Sequence, residues 1–347
     1  MNNEAPLTLS KADFEPHQGA RWCPGCGDHS ILSSIQKFLP SLGKTPEKYV
    51  FVSGIGCSSR FPYYMSTYGI HGTHGRAPTF ASGIKLARPD LSVWVISGDG
   101  DALSIGGNHF IHLLRRNLDL NLVVFNNRIY GLTKGQYSPT SEFGKITKSS
   151  PAGSPDQPLI PALLALGAQA TFVARVLDVD LPLMQEIWRE AQAHKGTSFI
   201  EVYQNCVIFN DGAFDELRDR AAREERQLVL RHGQPMIFGK NKDKGLRIMN
   251  GQAEVISLEA GSPEAAIAAG VTLYDSSNLA LATSLAQLTE TPGLPIPMGV
   301  FYKVSRPTNE EVVYSQIRQA QEKQPLSDDA DEVLKELFFK GDVWEVK

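Results

Sequence analysis

The amino-acid sequence predicts an α/β fold of three layers, a parallel sheet between two layers of helices. Three observations predict it. Short β-rich runs alternate with helical patterns from residue 49 to residue 203, which implies parallel pairing through right-handed crossovers. Glycine-rich turns follow the strand ends, where ligands bind in such sheets. The length of 347 residues, with 42% hydrophobic and 21% charged residues, suits one large α/β unit with an extension, or two domains. A collagen-like, disordered or disulfide-stapled chain is excluded. With 34 Lys and Arg against 38 Asp and Glu, the net charge is −4, so there is no basic field for nucleic acid or an anionic membrane.

Asp28, an N-cap candidate, precedes Ile31, Leu32, Ile35, Phe38 and Leu39 at helical spacing, and Pro40 and Gly43 end that helix. Residues 49–53 form a short strand running into Gly54-Ile-Gly56. Residues 77–86 are helical and stop before Pro89. Residues 91–97 form a buried strand entering Gly98-Asp99-Gly100-Asp101, residues 105–116 a helix, and residues 121–125 a strand ending in Asn126-Asn127. The beat continues with a helix over 161–166, a strand over 171–176, a helix over 180–194 with Pro182 in its first turn, and a strand over 197–203. Residues 145–158, rich in Ser, Pro and Gly, form a long loop suited to a lid.

After Cys206 the pattern weakens. Residues 215–230 read as one strongly charged, solvated helix. Residues 239–247, with Lys240, Lys242, Lys244 and Arg247, read as an exposed basic turn, and 308–322 and 327–339 as polar helices. The chain divides into an α/β domain over 1–210 and an extension over 211–347, expected to make subunit contacts. The start has no basic segment followed by an apolar run, so no secretory leader is read. The longest apolar run, 159–177, is broken by Pro161, Gly167, Gln169, Thr171 and Arg175, and so is not a membrane span. A cytoplasmic protein is expected.

Two constellations carry chemistry. Gly98-Asp99-Gly100 is followed by 25 residues and then Asn126-Asn127, an interval that fits a turn, a helix and the next strand. Asp99 and Asn127 then meet at neighbouring strand ends. Glycines let a diphosphate approach the backbone, and the carboxylate and amide oxygens are hard ligands for Mg²⁺, with the Ile129 carbonyl as a third. The plainer alternative is a tight turn beside an unrelated Asn pair. The second constellation is the only four cysteines, Cys23, Cys26, Cys57 and Cys206. One CxxC joined by two distant singletons suits a [4Fe–4S] cube; structural zinc and buried thiols are the alternatives. His71 and His74 sit on a Gly-rich loop.

The Gly-Asp-Gly and Asn-Asn pair at this distance is the thiamine-diphosphate signature. With Trp22-Cys-Pro-Gly-Cys-Gly27, Gly54-Ile-Gly-Cys-Ser-Ser59, His71-Gly-Thr-His-Gly-Arg76 and Tyr130-Gly-Leu-Thr-Lys-Gly-Gln136, it resembles the β subunits of 2-oxoacid:ferredoxin oxidoreductases, above all the 2-oxoglutarate enzymes. The resemblance covers residues from about 15 to 240. It implies a thiamine-diphosphate-binding (PP-type) domain in which Gly56, Ser58, His74, Gly98, Asp99, Gly100, Asp101, Asn127, Ile129, Gly131, Leu132 and Thr133 bind the cofactor. It also implies Mg²⁺ on Asp99, Asn127 and Ile129, and a [4Fe–4S] cluster on the four cysteines. The implied reaction is oxidative decarboxylation of 2-oxoglutarate to succinyl-CoA and CO₂, and its reverse, with electrons passing to ferredoxin and the acyl group to coenzyme A.

His74 is implied beside the diphosphate or the reacting carbon; as a loop histidine it is equally an ordinary hydrogen-bond partner. Lys134 is expected to meet the distal carboxylate of a longer 2-oxoacid, against the alternatives of a solvated charge or a diphosphate contact. Arg60 is a further candidate for that task. The chain carries only the diphosphate-binding half of a thiamine site, so an α subunit is expected to bring the other half, in a heterodimer or heterotetramer. Pyruvate, a broad set of 2-oxoacids, a non-redox thiamine-dependent decarboxylase half and an electron-carrying module stand as alternatives.

Overall fold

A computed structural model describes residues 8–259, 262–288, 291–323, 329–344 and 346. Helix α1 (Asp28–Phe38) precedes strand β1 (Tyr49–Ser53), and a 3-10 segment (Ser58–Tyr64) leads to β2 (Tyr68–His71). The chain then alternates through α2 (Ala77–Ala87), β3 (Ser92–Gly98), α3 (Gly107–Arg116), β4 (Asn121–Asn126), α4 (Pro161–Gly167), β5 (Phe172–Leu177), α5 (Leu181–Ala193) and β6 (Ser198–Tyr203). Next come α6 (Asp215–Arg218), α7 (Arg220–Arg226), β7 (Gln227–Leu230), β8 (Ile237–Phe238), β9 (Lys244–Met249) and β10 (Gln252–Ser257). They are followed by α8 (Pro263–Ala268), α9 (Leu279–Gln287), β11 (Ile296–Lys303), α10 (Asn309–Lys323) and α11 (Ala330–Phe338).

The main sheet runs β2-β1-β3-β4-β6-β5-β11-β7. Every pair in it is parallel except β11 with β5. The alternation of strand side chains builds the two outer layers. Val50, Val52, Val93 and Val95 face a core shared with Ala81 of α2, Phe110 of α3 and Ala165 of α4. Tyr49, Phe51, Trp94 and Ile96 face the opposite core, with Ile31 and Ile35 of α1 and Met184 and Ile187 of α5. Both faces of the parallel strands are therefore apolar, as buried parallel strands require. Asp180 caps α5 by accepting from Leu183 N at 3.3 Å, and Pro182 sits in its first turn.

Three local expectations are corrected. Residues 215–230 are not one helix: α6 ends at Arg218, the Asp219 side chain caps α7, and residues 227–230 become β7, parallel to β11. Residues 239–247 are not wholly a turn, because Lys244 and Arg247 lie on β9, paired with Glu225 and with Glu254 (2.6 Å). Asp28 is not a cap; Gly27 holds that position, and Asp28 is the buried first residue of α1. Past residue 210 the chain adds β7 and β11 to the main sheet and the small antiparallel sheet β10-β9-β8. The start of the chain and residues 327–328 lie outside the described residues. No helix among the described residues is long and apolar enough to cross a membrane.

One ion pair sits inside the sheet. Arg175 Nε donates to Glu201 Oε2 at 2.7 Å with both side chains fully buried, and the guanidinium lies over the Tyr203 and Phe301 rings at 5.0 and 5.1 Å. Breaking such a pair leaves a buried charge uncompensated and costs about 3–5 kcal/mol. Glu201→Ala is expected to lose that much in denaturant unfolding, and Glu201→Ala with Arg175→Met to recover most of it.

Candidate active site

The ends of β3 and β4 are hydrogen-bonded neighbours, with Gly98 opposite Phe125. Beyond them opens one cleft. Gly56, Ser58 and His74 reach it from the loops after β1 and β2. Gly98, Asp99, Gly100 and Asp101 come from the end of β3, and Asn127, Ile129, Gly131, Leu132 and Thr133 from the chain after β4. The structure thus brings together every cofactor-binding residue expected from the sequence. A Cβ on Gly100 would stand 2.1 Å from Tyr130 Cε1, so only glycine lets the Tyr130 hydroxyl donate to the Gly100 carbonyl at 3.1 Å. After Gly100 the backbone makes one π-helical turn, Asp101–Ile105, before α3.

Asp99 is 2% exposed, and burial raises its pKa. Its Oδ2 accepts from Ser138 Oγ at 2.5 Å and Thr140 Oγ1 at 2.6 Å. Thr140 Oγ1 also lies 2.9 Å from Asn126 Oδ1, whose Nδ2 donates to Glu201 Oε1 at 2.7 Å. The buried ion pair thereby supports the motif from below. Asn127 Oδ1 accepts from Ile129 N at 3.1 Å, which shapes the turn and leaves a second lone pair.

Asp101 borders the cleft, but its carboxylate is taken up by the chain itself. It accepts from Ile55 N at 3.0 Å, Gly75 N at 2.7 Å and Ser97 Oγ at 2.5 Å, and it binds His74 Nδ1. It ties the loops together and orients His74, whose Nε2 has no hydrogen-bond partner among the described residues. Lys134 is exposed, at φ +79°, and is not among the cleft-lining residues, although Thr133 is. Arg60 donates to the Tyr64 hydroxyl at 3.0 Å, and His71 pairs with the Tyr63 hydroxyl at 3.1 Å; neither lines the cleft.

The cysteines gather beside the same cleft. Cys26 N donates to Cys23 O at 3.1 Å across the CxxC turn, and Trp22 Nε1 donates to Cys57 O at 2.7 Å. A Cβ on Gly131 would lie 3.5 Å from Cys206 Sγ and 3.8 Å from Cys57 Sγ, so Gly131 borders both cleft and thiols, and Cys57 itself lines the cleft. Burial, then the Asp28 and cysteine charges, push the Cys57 thiol up to about 12; the same causes raise Cys26. Asp28, buried beside Asp178, is raised to about 7, mainly by burial. All four cysteines are free thiols, and among the described residues no three His, Cys, Asp or Glu side chains converge on a single-ion site. A larger cavity, lined by Arg128, Tyr203, Phe214 and Ile296 among others, holds none of the Gly-Asp-Gly or cysteine residues. Chemistry rather than size therefore places the site.

A sheet that presents Gly98-Asp99-Gly100 and Asn127 to one cleft at its strand ends defines a thiamine-diphosphate-binding enzyme domain. Consistently, residues 54–202 match the family model for the C-terminal TPP-binding domain of thiamine pyrophosphate enzymes. The chain is 49% identical to the KorB subunit of the 2-oxoglutarate oxidoreductase of Mycobacterium tuberculosis, over 96% of this chain and 88% of that protein. It is 48% identical to the β subunit of a 2-oxoacid:ferredoxin oxidoreductase of Saccharolobus solfataricus, over 57% and 66%. Among solved structures, it matches the 2-oxoglutarate:ferredoxin oxidoreductase of Magnetococcus marinus with 2-oxoglutarate, coenzyme A and succinyl-CoA bound. That match has a TM-score of 0.75 at 31% identity and covers 98% of this chain and 96% of that one. The chain belongs to the family of 2-oxoacid:ferredoxin oxidoreductase β subunits.

Proposed function

We propose that this chain, with its α subunit, oxidatively decarboxylates 2-oxoglutarate to succinyl-CoA and CO₂, and runs the reverse carboxylation. Electrons would leave through a [4Fe–4S] cluster on Cys23, Cys26, Cys57 and Cys206 to ferredoxin. The observation that carries this reading is that Gly131 and Cys57 line the same cleft as Asp99 and Asn127, with Cys206 Sγ only 3.5 Å from the Gly131 Cβ position. The donor set fits both inorganic groups. Asp99 is a buried carboxylate whose side-chain partners among the described residues are two hydroxyls, so a divalent cation held with Asn127 and the Ile129 carbonyl would offset its burial. Cys26 and Cys57 are disfavoured as isolated thiolates, first by burial and then by the neighbouring negative charges, a cost that iron would offset.

Thiamine diphosphate, when bound, supplies the electron sink for decarboxylation. The chain's own residues do the rest. Gly98, Gly100, Gly56 and Ser58 let a diphosphate approach the backbone. Asp101 fixes His74 so that Nε2 can hold or move a proton in the cleft. Leu132 and Thr133 close its rim. The partners are an α subunit carrying the other half of the thiamine site, ferredoxin and coenzyme A, in a heterodimer or heterotetramer. The β-subunit relatives and the coenzyme A-bound structure support that set.

Lys134 is proposed to select the dicarboxylate from the rim. Its exposed place outside the cleft lining favours, as the second reading, a broader 2-oxoacid range. The two are separated by Lys134→Ala in the reconstituted complex. A charge-assisted hydrogen bond is worth about 1.5–3 kcal/mol. A fall of roughly tenfold to a hundredfold in kcat/KM for 2-oxoglutarate, with pyruvate turnover kept, is expected. Unchanged 2-oxoglutarate turnover with normal cofactor binding would assign selectivity elsewhere.

A further inference from the structure

A hydrogen-bond donor is built into the buried side of the cysteine site. Gln204, the residue after β6, is 1% exposed. Its Nε2 lies 2.6 Å from the Asn205 carbonyl and 3.2 Å from Cys26 Sγ. A carbonyl only accepts, so the first contact fixes which end of the carboxamide is nitrogen, and the second N–H faces the sulfur. The Gln204 backbone is pinned as well, N donating to the Asn126 carbonyl at 3.0 Å. Gly27 is where the CxxC turn closes on this residue. A Cβ there would stand 3.0 Å from Gln204 Cγ and 1.9 Å from Asp178 Oδ2, and Gly27 N donates to the same Asn205 carbonyl at 3.3 Å. Gln204 Oε1 is buried with no hydrogen-bond partner among the described residues. The amide is thus held by its donor end, and that end meets a thiol.

We propose that Gln204 is a positioning residue that sets the reduction potential of the iron–sulfur cluster through its N–H···S bond to Cys26. This rests on the reading that the four cysteines hold a [4Fe–4S] cluster. Uptake of one electron adds one negative charge to the cluster and its thiolates. A donor on a thiolate sulfur therefore stabilises the reduced form more than the oxidised one and raises the midpoint. Gln204 would act on the electron-accepting step without touching substrate.

The test uses the complete complex, purified without oxygen, with Gln204→Met, which keeps the length and apolar stem of the side chain and removes the donor. Iron and sulfide content, the midpoint from a redox titration followed by electron paramagnetic resonance, and exchangeable-proton couplings in the reduced state are read together. Cluster content should hold, one exchangeable coupling should vanish, and the equilibrium should shift about tenfold against reduction, ~59 mV to more negative potential for one electron. An unmoved midpoint with a full cluster overturns the proposal. Should Gln204→Met lose the cluster, Gln204→Asn, which withdraws the amide by one methylene, is read for the same negative shift. Loss of the cluster from both variants makes Gln204 structural and overturns the tuning role. A wild-type complex without iron and sulfide overturns the cluster reading itself, and the proposal with it.

Discussion

Asp99→Ala is expected to raise the concentrations of thiamine diphosphate and Mg²⁺ needed for half-saturation by more than about 100-fold, and to leave iron content unchanged. The bound is set by outer-shell partners, whose loss alone costs about 10–100-fold in metal affinity; Asp99 is the only charged group in the proposed ligand set. Mg²⁺ demands near-octahedral oxygens, and the Asn127 amide and Ile129 carbonyl are neutral. The same substitution should not weaken the cofactor-free chain. Burial raises the Asp99 pKa, so its removal relieves a desolvation cost. Ser138 and Thr140 lose an acceptor in return, each about 1 kcal/mol. The Tm without cofactor should therefore stay near that of the wild type. The rise in stability on adding cofactor, about 2.7 kcal/mol at 100 times Kd in the wild type, should disappear. Wild-type-like saturation would show the Gly-Asp-Gly turn to be only a turn.

The expected cofactor-binding residues were legible because each lies in a short motif near a strand end, where strand, turn and spacing are local properties; Asp28, which lines the same cleft from the start of α1, was read only as a cap. What supports them was not. Ser138 and Thr140 hold Asp99 across about forty residues, and Glu201 holds Asn126 across 75. Such contacts are made by the sheet, and Ser, Thr and Glu at those positions look like ordinary loop and strand residues. Asp101 shows the converse. Its place in the motif suggested the cofactor, but Ile55, Gly75, Ser97 and His74 converge on its carboxylate from three other segments. Gln204 carried no signal either, since nothing in the sequence says that it returns to Cys26, 178 residues earlier.

The strands that the sequence hid share a physical cause. β2 is an edge strand with all four residues exposed, so it has no apolar face to advertise. β11 contains Pro297 and Gly299, the latter at φ +104°, and shifts register between Val300 and Tyr302; propensity argues against a strand that tertiary pairing nonetheless makes. β7 follows seven residues of mixed charge, and only its pairing with β11 distinguishes it from the helix before it.

Cys206→Ala carries the other large effect: the visible absorbance of the complex should bleach and viologen reduction should stop, while thiamine diphosphate still binds. The position is what makes the experiment decisive. Cys206 lies on the loop after β6, where its carbonyl accepts from Asn210 N at 3.0 Å, and its side chain is only partly buried. Exchanging it for Ala removes one sulfur without opening a core cavity, so folding should survive. Its Sγ stands 3.5 Å from the Cβ position of Gly131, but Cys206 is not among the cleft-lining residues, so diphosphate contacts are left alone. A four-iron cluster takes its thiolates on separate irons, whereas structural zinc draws four ligands to one ion, each Zn–S contact about 2.3 Å. The two readings therefore part at the bench. Iron and acid-labile sulfide in the wild type, lost together in Cys206→Ala along with electron transfer, fit the cluster. Zinc in both proteins, or iron and sulfide undiminished in the variant, would remove Cys206 from the electron path and return the four cysteines to a structural role.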